Sequence, residues 1–464
     1  MLLGAILAYL VITILIGFWT SRRVQTSDDF LLAGRSLPLM LGSTALFATW
    51  FGSETVFGAS AEFLEHGLYG VIEDPFGAAL CLVLFGLFFA RKLYNLRLLT
   101  LGDFFKVRFG ARTELVASLF LAPPYLGYIA AQLVAMGLIL NVVTGMAVWH
   151  GIIASAAVVT LYTYVGGMWA ITITDFIQTI IIISGLLVLA VILAERAGGF
   201  QHIISTVPPE DFRFLPRPGF KEIVTYVAAW CVLGLGSLPS QDVFQRSMSS
   251  ASARTAEWSC FVGAFMYLTV AMLPLFISLC TKLLYPHEAA GDTQLALPNM
   301  VLRHTPVAVQ VLFLGSLLSA VMSTTSSAIL APASIFSENL IKPLMKHRLS
   351  DRHFLVLTRM SVLFFSVSAT VMACLRSNIY ELVGESSILS LVSLFAPLTF
   401  GLYWKRSSAA GALLSMVFGM AAWIIFEVYD TGWPSLVPAT IVSIMLMVGG
   451  SLIWPQKRLQ DDNH

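Results

Sequence analysis

Long apolar stretches, each about 20 residues and so long enough to cross a bilayer, recur along the chain. They fall at 2–20, 38–64, 71–90, 113–144, 149–166, 170–195, 222–245, 255–284, 307–341, 354–375, 378–403, 408–427 and 435–454. The pattern predicts an all-α polytopic membrane protein of about thirteen transmembrane helices. Most connections are short. The two longest are 196–221, where Pro208, Pro209, Pro216 and Pro218 predict an extended surface loop, and 285–306, with Pro286, Pro298 and Pro306.

Polar positions interrupt two of these stretches at related places. In 38–64 the run ATWFGSETVFG puts Gly52, Ser53, Glu54 and Thr55 at mid-membrane, and in 222–245 the run LGLGSLPSQDVFQR does the same with Gly234, Gly236 and Pro239. Backbone freed from a helix at that depth survives only when buried in protein or lining a wet cavity. The breaks are five spans apart, an odd number, so spans 2–6 and 7–11 can be inverted copies. Paired breaks in two inverted halves point to the midplane site of a secondary transporter; a kinked packing helix would account for either break alone. The halves share no visible residue identity, so the relation rests on hydropathy and on the breaks.

A second polar feature is the hydroxyl run SAVMSTTSSAIL, Ser319 to Leu330. At about 3.6 residues per turn, Ala320, Ser323, Thr324 and Ser327 share one helix face. Hard, nearly neutral oxygens held away from water suit a sodium ion, although small hydroxyl residues also fill the interfaces between membrane helices.

Composition supports the membrane class, with 57% hydrophobic and 11% charged residues against about 25% charged in soluble domains. The net charge of +1 and the lack of a basic run argue against a nucleic-acid partner. Cys81, Cys231, Cys260, Cys280 and Cys374 lie singly, without metal or disulfide spacing. The N-terminal run has no basic n-region and no cleavage site, so it reads as a first spanning helix rather than a signal peptide. Placing the N-terminus outside and the C-terminus in the cytoplasm puts about nineteen Lys and Arg on inner segments and about seven on outer ones. No nucleophile elbow, zinc triad or nucleotide loop is present, so the chain is expected to be no enzyme and to use no organic cofactor. No obligate protein partner is evident.

Several blocks in order resemble the sodium/solute symporter family, which has the inverted-repeat fold first described for a bacterial leucine transporter. They are the opening of span 2 after LLAGRSL, LYTYVGGMWAITITDFIQTIIIISG from Leu161 to Gly185, FQRSMSSASARTA from Phe244 to Ala256, LLSAVMSTTSSAILAPASIFSENL, and FAPLTFGLYWKRSSAAGAL from Phe395 to Leu413. The resemblance implies an extra N-terminal helix and inside loop at 1–37, a first five-helix repeat at 38–195, an outer loop at 196–221, an inverted repeat at 222–406, and two further helices with a short cytoplasmic tail at 407–464. It implies a sodium site from the carbonyls of Ala48, Phe51 and Ala320 with the hydroxyls of Ser323 and Thr324. For a second sodium it implies Asp175, Ser326 and Ser327; the other reading of Asp175 is that it snorkels or pairs with an arginine.

Within the family the chain is similar to the high-affinity choline transporter branch through ATW at Ala48 to Trp50, LPSQDVFQR at Leu238 to Arg246, and SATVMA at Ser368 to Ala373. A quaternary ammonium binds on aromatic faces, which Trp50, Tyr125, Tyr128, Trp230 and Phe244 offer, with Gln241 beside them. Two positions depart from the branch: Ser240 stands where it has an indole, and Ala78 where it has a tyrosine. In their place the chain has acids, Glu54 next to Thr55, then Glu73 and Asp74; relatives that carry sugars also have an acid at the Glu54 position. The expected function is sodium-coupled import of a small organic solute by alternating access through the cell membrane, the solute being choline or a related amine. A proline-like amino acid and a sugar or polyol are alternatives, and a transport-inactive membrane sensor is the reading from a different class.

Overall fold

A computed structural model describes residues 26–345, 350–376, 378–429 and 432–455, with isolated positions before residue 26. The first predicted span, 2–20, and the tail after residue 455 therefore lie largely or wholly outside the described residues. What is described is helical almost throughout; its one isolated β-bridge joins Leu37 to Ser250. Among the described residues ten helices are long and apolar enough to cross a membrane, or eleven when the bent pair Phe220–Gly236 and Gln241–Met248, 48° apart, is counted as one span; Leu39–Trp50 is a shorter apolar helix.

Of the two spans by which eleven falls short of thirteen, one is the first, largely outside the described residues, and the other difference is local. The predicted spans 38–64 and 71–90 become the short helix Leu39–Trp50, a break, and one nearly continuous helical run, Glu54–Asn95. Within that run Gly67 turns the chain at φ 66 and Asp74 is extended at φ −136, just before Pro75. The helix Val148–Arg196 also carries a sharp change of direction, at Gly167 with φ 52. Glycine is needed there twice over, because L-residues avoid that φ and because a Cβ would lie 2.5 Å from the Phe30 ring.

The 196–221 connection is less extended than its prolines suggest. It forms the helix Phe200–Thr206 and the turn Pro209–Phe212, and Lys282 Nζ holds Asp211 Oδ2 at 2.7 Å. Likewise 285–306 contains Pro286–Ala289 and Ala296–His304. Pro209 and Pro286 begin their helices, where a missing N–H costs nothing.

The helix Val307–Ile335 runs through the centre, buried from Ser316 to its end. It packs against Val148–Arg196 and Pro124–Thr144 and touches Leu39–Trp50. Most of its hydroxyls bond back to carbonyls of the same helix or reach a neighbour, as a polar group in an apolar interior must.

At the end of the bundle that carries Arg91 to Arg112, the short helix Leu101–Phe109 begins with a capping box between Thr100 and Asp103. Three groups tie it down. Leu101 N–H donates to Gln241 Oε1 at 2.7 Å, the Thr100 hydroxyl donates to Asn339 Oδ1 at 2.6 Å, and Asn339 Nδ2 donates to Asp103 and Glu114, each at 2.9 Å.

Candidate functional site

The break after Trp50 frees three consecutive carbonyls, and each is met by side chains. Ala48 O accepts from Thr324 Oγ1 at 3.1 Å and lies 3.4 Å from Ser323 Oγ. Thr49 O lies 3.0 Å from the Tyr128 hydroxyl. Trp50 O lies 3.2 Å from the Tyr267 hydroxyl and 3.3 Å from Thr55 Oγ1. On the donor side, Ser53 N–H donates to Gln132 Oε1 at 2.9 Å. These contacts place polar side chains against the unwound segment, as buried backbone freed from a helix requires. Gly52 permits the close approach: a Cβ there would fall 2.6 Å from Gln132 Oε1 and 2.7 Å from Thr324 Oγ1.

The hydroxyl helix meets this break at Ser323 and Thr324, with Ala320 one turn earlier and also buried. Ser323 additionally donates to Asp175 Oδ1. Behind it, Ser326 and Ser327 both donate to Ser323 O at 2.9 Å. The three residues expected around a second sodium, Asp175, Ser326 and Ser327, are thus gathered in one place, with a guanidinium among them. Arg246 Nη2 lies 3.6 Å from Asp175 Oδ2 and donates to Ser327 Oγ, and its Nε donates to Ala45 O at 2.9 Å.

Beside the break is a cavity lined by Trp50, Glu54, Tyr125, Tyr128, Tyr267 and Asp242, together with Ser237, Ser240, Ser386, Ser387, Ser390 and apolar neighbours. Each acid around it is held by a tyrosine. Tyr128 donates to Glu54 Oε1 at 2.7 Å, and Gln132 Nε2 donates to Oε2 at 2.7 Å. Tyr125 donates to Asp242 Oδ1 at 2.8 Å. Tyr267 donates to Asp74 Oδ1 at 2.6 Å and also meets Thr55 Oγ1 at 2.6 Å. Among the described residues no Lys, Arg or His lines the cavity.

Of the substrate candidates, Trp50, Glu54, Tyr125, Tyr128 and Ser240 reach the cavity, while Thr55 and Asp74 stand behind Tyr267. Four others do not reach it. Gln241 points to the Leu101–Phe109 helix and to Ser334 Oγ at 3.2 Å. Phe244 is fully buried outside the lining. Trp230 belongs to an aromatic cluster with Phe76, Phe214 and Tyr226. Glu73 lies near Gly384, outside the lining. Sequence reasoning missed Asp242, Gln132, Tyr267 and Arg246. For Asp242 a signal existed, an acid directly after the second break in an apolar span; Gln132 and Tyr267 are single polar positions in long apolar helices.

A helical membrane protein with a first helix broken beside a buried cavity, its carbonyls facing a hydroxyl helix, is a secondary transporter of the discontinuous-helix class. Residues 30–419 match the sodium:solute symporter family, and the chain belongs to that family. It is 28% identical to the human high affinity choline transporter 1, over 90% of this chain and 75% of that protein. It is 25% identical to an osmoregulated proline transporter of Bacillus subtilis, over 96% and 93%. In fold it is similar to a Na+-coupled sialic acid symporter in a substrate-bound outward-open state, with a TM-score of 0.87 at 20% identity over 98% of both chains. A nucleobase-cation-symport-1 family transporter in a closed conformation gives a TM-score of 0.57 at 15% identity. The protein is a multi-pass, sodium-coupled symporter.

Proposed function

We propose that the solute is a small organic cation, choline or a related amine, taken up together with sodium. The observation that carries this reading is the cavity wall itself: two carboxylates, Glu54 and Asp242, and four aromatic side chains, with no basic residue to balance them. A cation gains from both kinds of group. A proline-like amino acid would bring a carboxylate of its own to a wall that has no cation for it. The choline transporters among the relatives support the same class of solute.

Sodium sits, in this reading, between the carbonyls of Ala48, Phe51 and Ala320 and the hydroxyls of Ser323 and Thr324. Beside Asp175 and Ser327 the guanidinium of Arg246 takes the place of a second cation, so in this reading one sodium accompanies each solute. The end bearing the Leu101–Phe109 helix faces the cytoplasm, since Arg91, Lys92, Arg97, Lys106, Arg108 and Arg112 cluster there. The repeats span 38–195 and 222–406, and rock about the fixed site. Family membership supports a transporter rather than an enzyme.

Purified protein in proteoliposomes with an inward sodium gradient tests this. Accumulation of labelled choline or a simple amine, abolished when potassium replaces sodium, is the expected result. Accumulation of proline or a sugar with no cation uptake overturns the solute assignment, and saturable binding without any accumulation indicates a sensor.

A further inference from the structure

We propose that the cavity selects a short aliphatic diamine, with one ammonium on Asp242 and the other on Glu54. The inference rests on the cation reading above and narrows it. Both acids line the cavity and are closed to outside solvent, Glu54 at 2% and Asp242 at 1% exposure. The guanidinium on the same short helix does not neutralise Asp242: Arg246 faces Asp175 and Ser327, and reaches only the backbone carbonyl of Asp242, at 3.5 Å. Among the described residues the cavity wall holds two carboxylates and no Lys, Arg or His, with a third acid, Asp74, behind Tyr267. A single ammonium leaves one of the two lining charges unbalanced in a low-dielectric site, where that is expensive.

Hydrogen-bond accounting selects the kind of ammonium. Asp242 Oδ1 accepts from the Tyr125 hydroxyl at 2.8 Å and from Val243 N–H at 2.9 Å. Its other oxygen, Oδ2, accepts nothing from the described residues and, on a side chain that lines the cavity, is not sealed off. A ligand N–H can reach and complete it. Each Glu54 oxygen takes one protein donor and has capacity for another. A quaternary ammonium has no N–H and would leave both acids as they are. An ammonium with hydrogens satisfies them.

One cavity carries both carboxylates, so a single solute molecule reaches both, and a competition series of graded chain length reads the spacing.

The test uses the full chain in proteoliposomes with a sodium gradient, following uptake of labelled diaminobutane in competition with diaminopropane, diaminohexane, butylamine and choline. The expected result is that diaminobutane competes at a concentration about tenfold below that of butylamine, a difference of one coupled charge pair. In Asp242→Asn the ratio falls to within about twofold. Butylamine or choline competing as well as the diamine, or choline uptake with the diamine inert, overturns the inference and leaves sodium-coupled cation import standing. Sodium-driven proline or sugar uptake with no cation uptake overturns both. The wild-type competition series decides the matter by itself where Asp242→Asn is not recovered as a monodisperse protein.

Discussion

Arg246 and Asp175 face one another near the centre of the protein, Nη2 to Oδ2 at 3.6 Å, with side chains 1% and 0% exposed. Removing one partner of such a pair leaves an uncompensated buried charge and costs about 3–5 kcal/mol, whereas replacing both with neutral groups costs far less. Asp175→Asn and Arg246→Met are each expected to lower the melting temperature in detergent markedly, and the double variant to recover much of the loss. Single variants that melt with the wild type would show that the pair contributes no such balance.

The sodium position is tested through its hydroxyls. Ser323→Ala and Thr324→Ala each remove one buried oxygen beside Ala48 O, worth about 1–3 kcal/mol. The sodium concentration for half-maximal uptake is expected to rise by about one to two orders of magnitude, read from initial rates at varied sodium. Unchanged sodium dependence in a well-folded double variant would exclude these two ligands.

Gly52→Ala asks for space that the break does not have. The added methyl would press on Gln132 and Thr324 at 2.6 and 2.7 Å, which couples the solute and sodium positions in one clash. Overpacking of this kind costs about 1–3 kcal/mol. Sodium-driven uptake is expected to fall by at least about tenfold, with the protein still monodisperse by size exclusion.

The helix Leu101–Phe109 is held by Gln241 and Asn339. Gln241→Leu leaves the Leu101 N–H without its acceptor, and Asn339→Ala unties Thr100 and Asp103. Both variants are expected to speed hydrogen exchange in residues 101–109 by about tenfold relative to the rest of the bundle, because local opening sets that rate. Exchange unchanged across this segment would mean that other contacts hold it.

The class of fold was legible because the bilayer imposes it. Long apolar runs, and two breaks that no lipid-facing helix tolerates, are visible without any knowledge of packing. The hydroxyl helix was legible for the same reason, since Ser323 and Thr324 are out of place in an apolar run. Span number was less so: the first predicted span lies largely outside the described residues, and two others fall in the one run Glu54–Asn95 despite the turn at Gly67 and the extended Asp74. The cavity lining was the least legible. Gln241 and Asp242 are polar neighbours after the same break, and the rotation of the helix Gln241–Met248 separates the one that faces the cavity from the one that does not. Arg246 could be read as a charge at a span end, and its partner across the bundle lies 71 residues away in sequence, as Asp175.

That neighbouring pair has a mechanical meaning. One peptide unit separates the carboxylate at the cavity wall from the amide that holds Leu101 N–H at the end of the bundle. A helix of only eight residues is too short to absorb a twist between them. The solute handle and the tie at Leu101 are therefore cut from one piece of backbone.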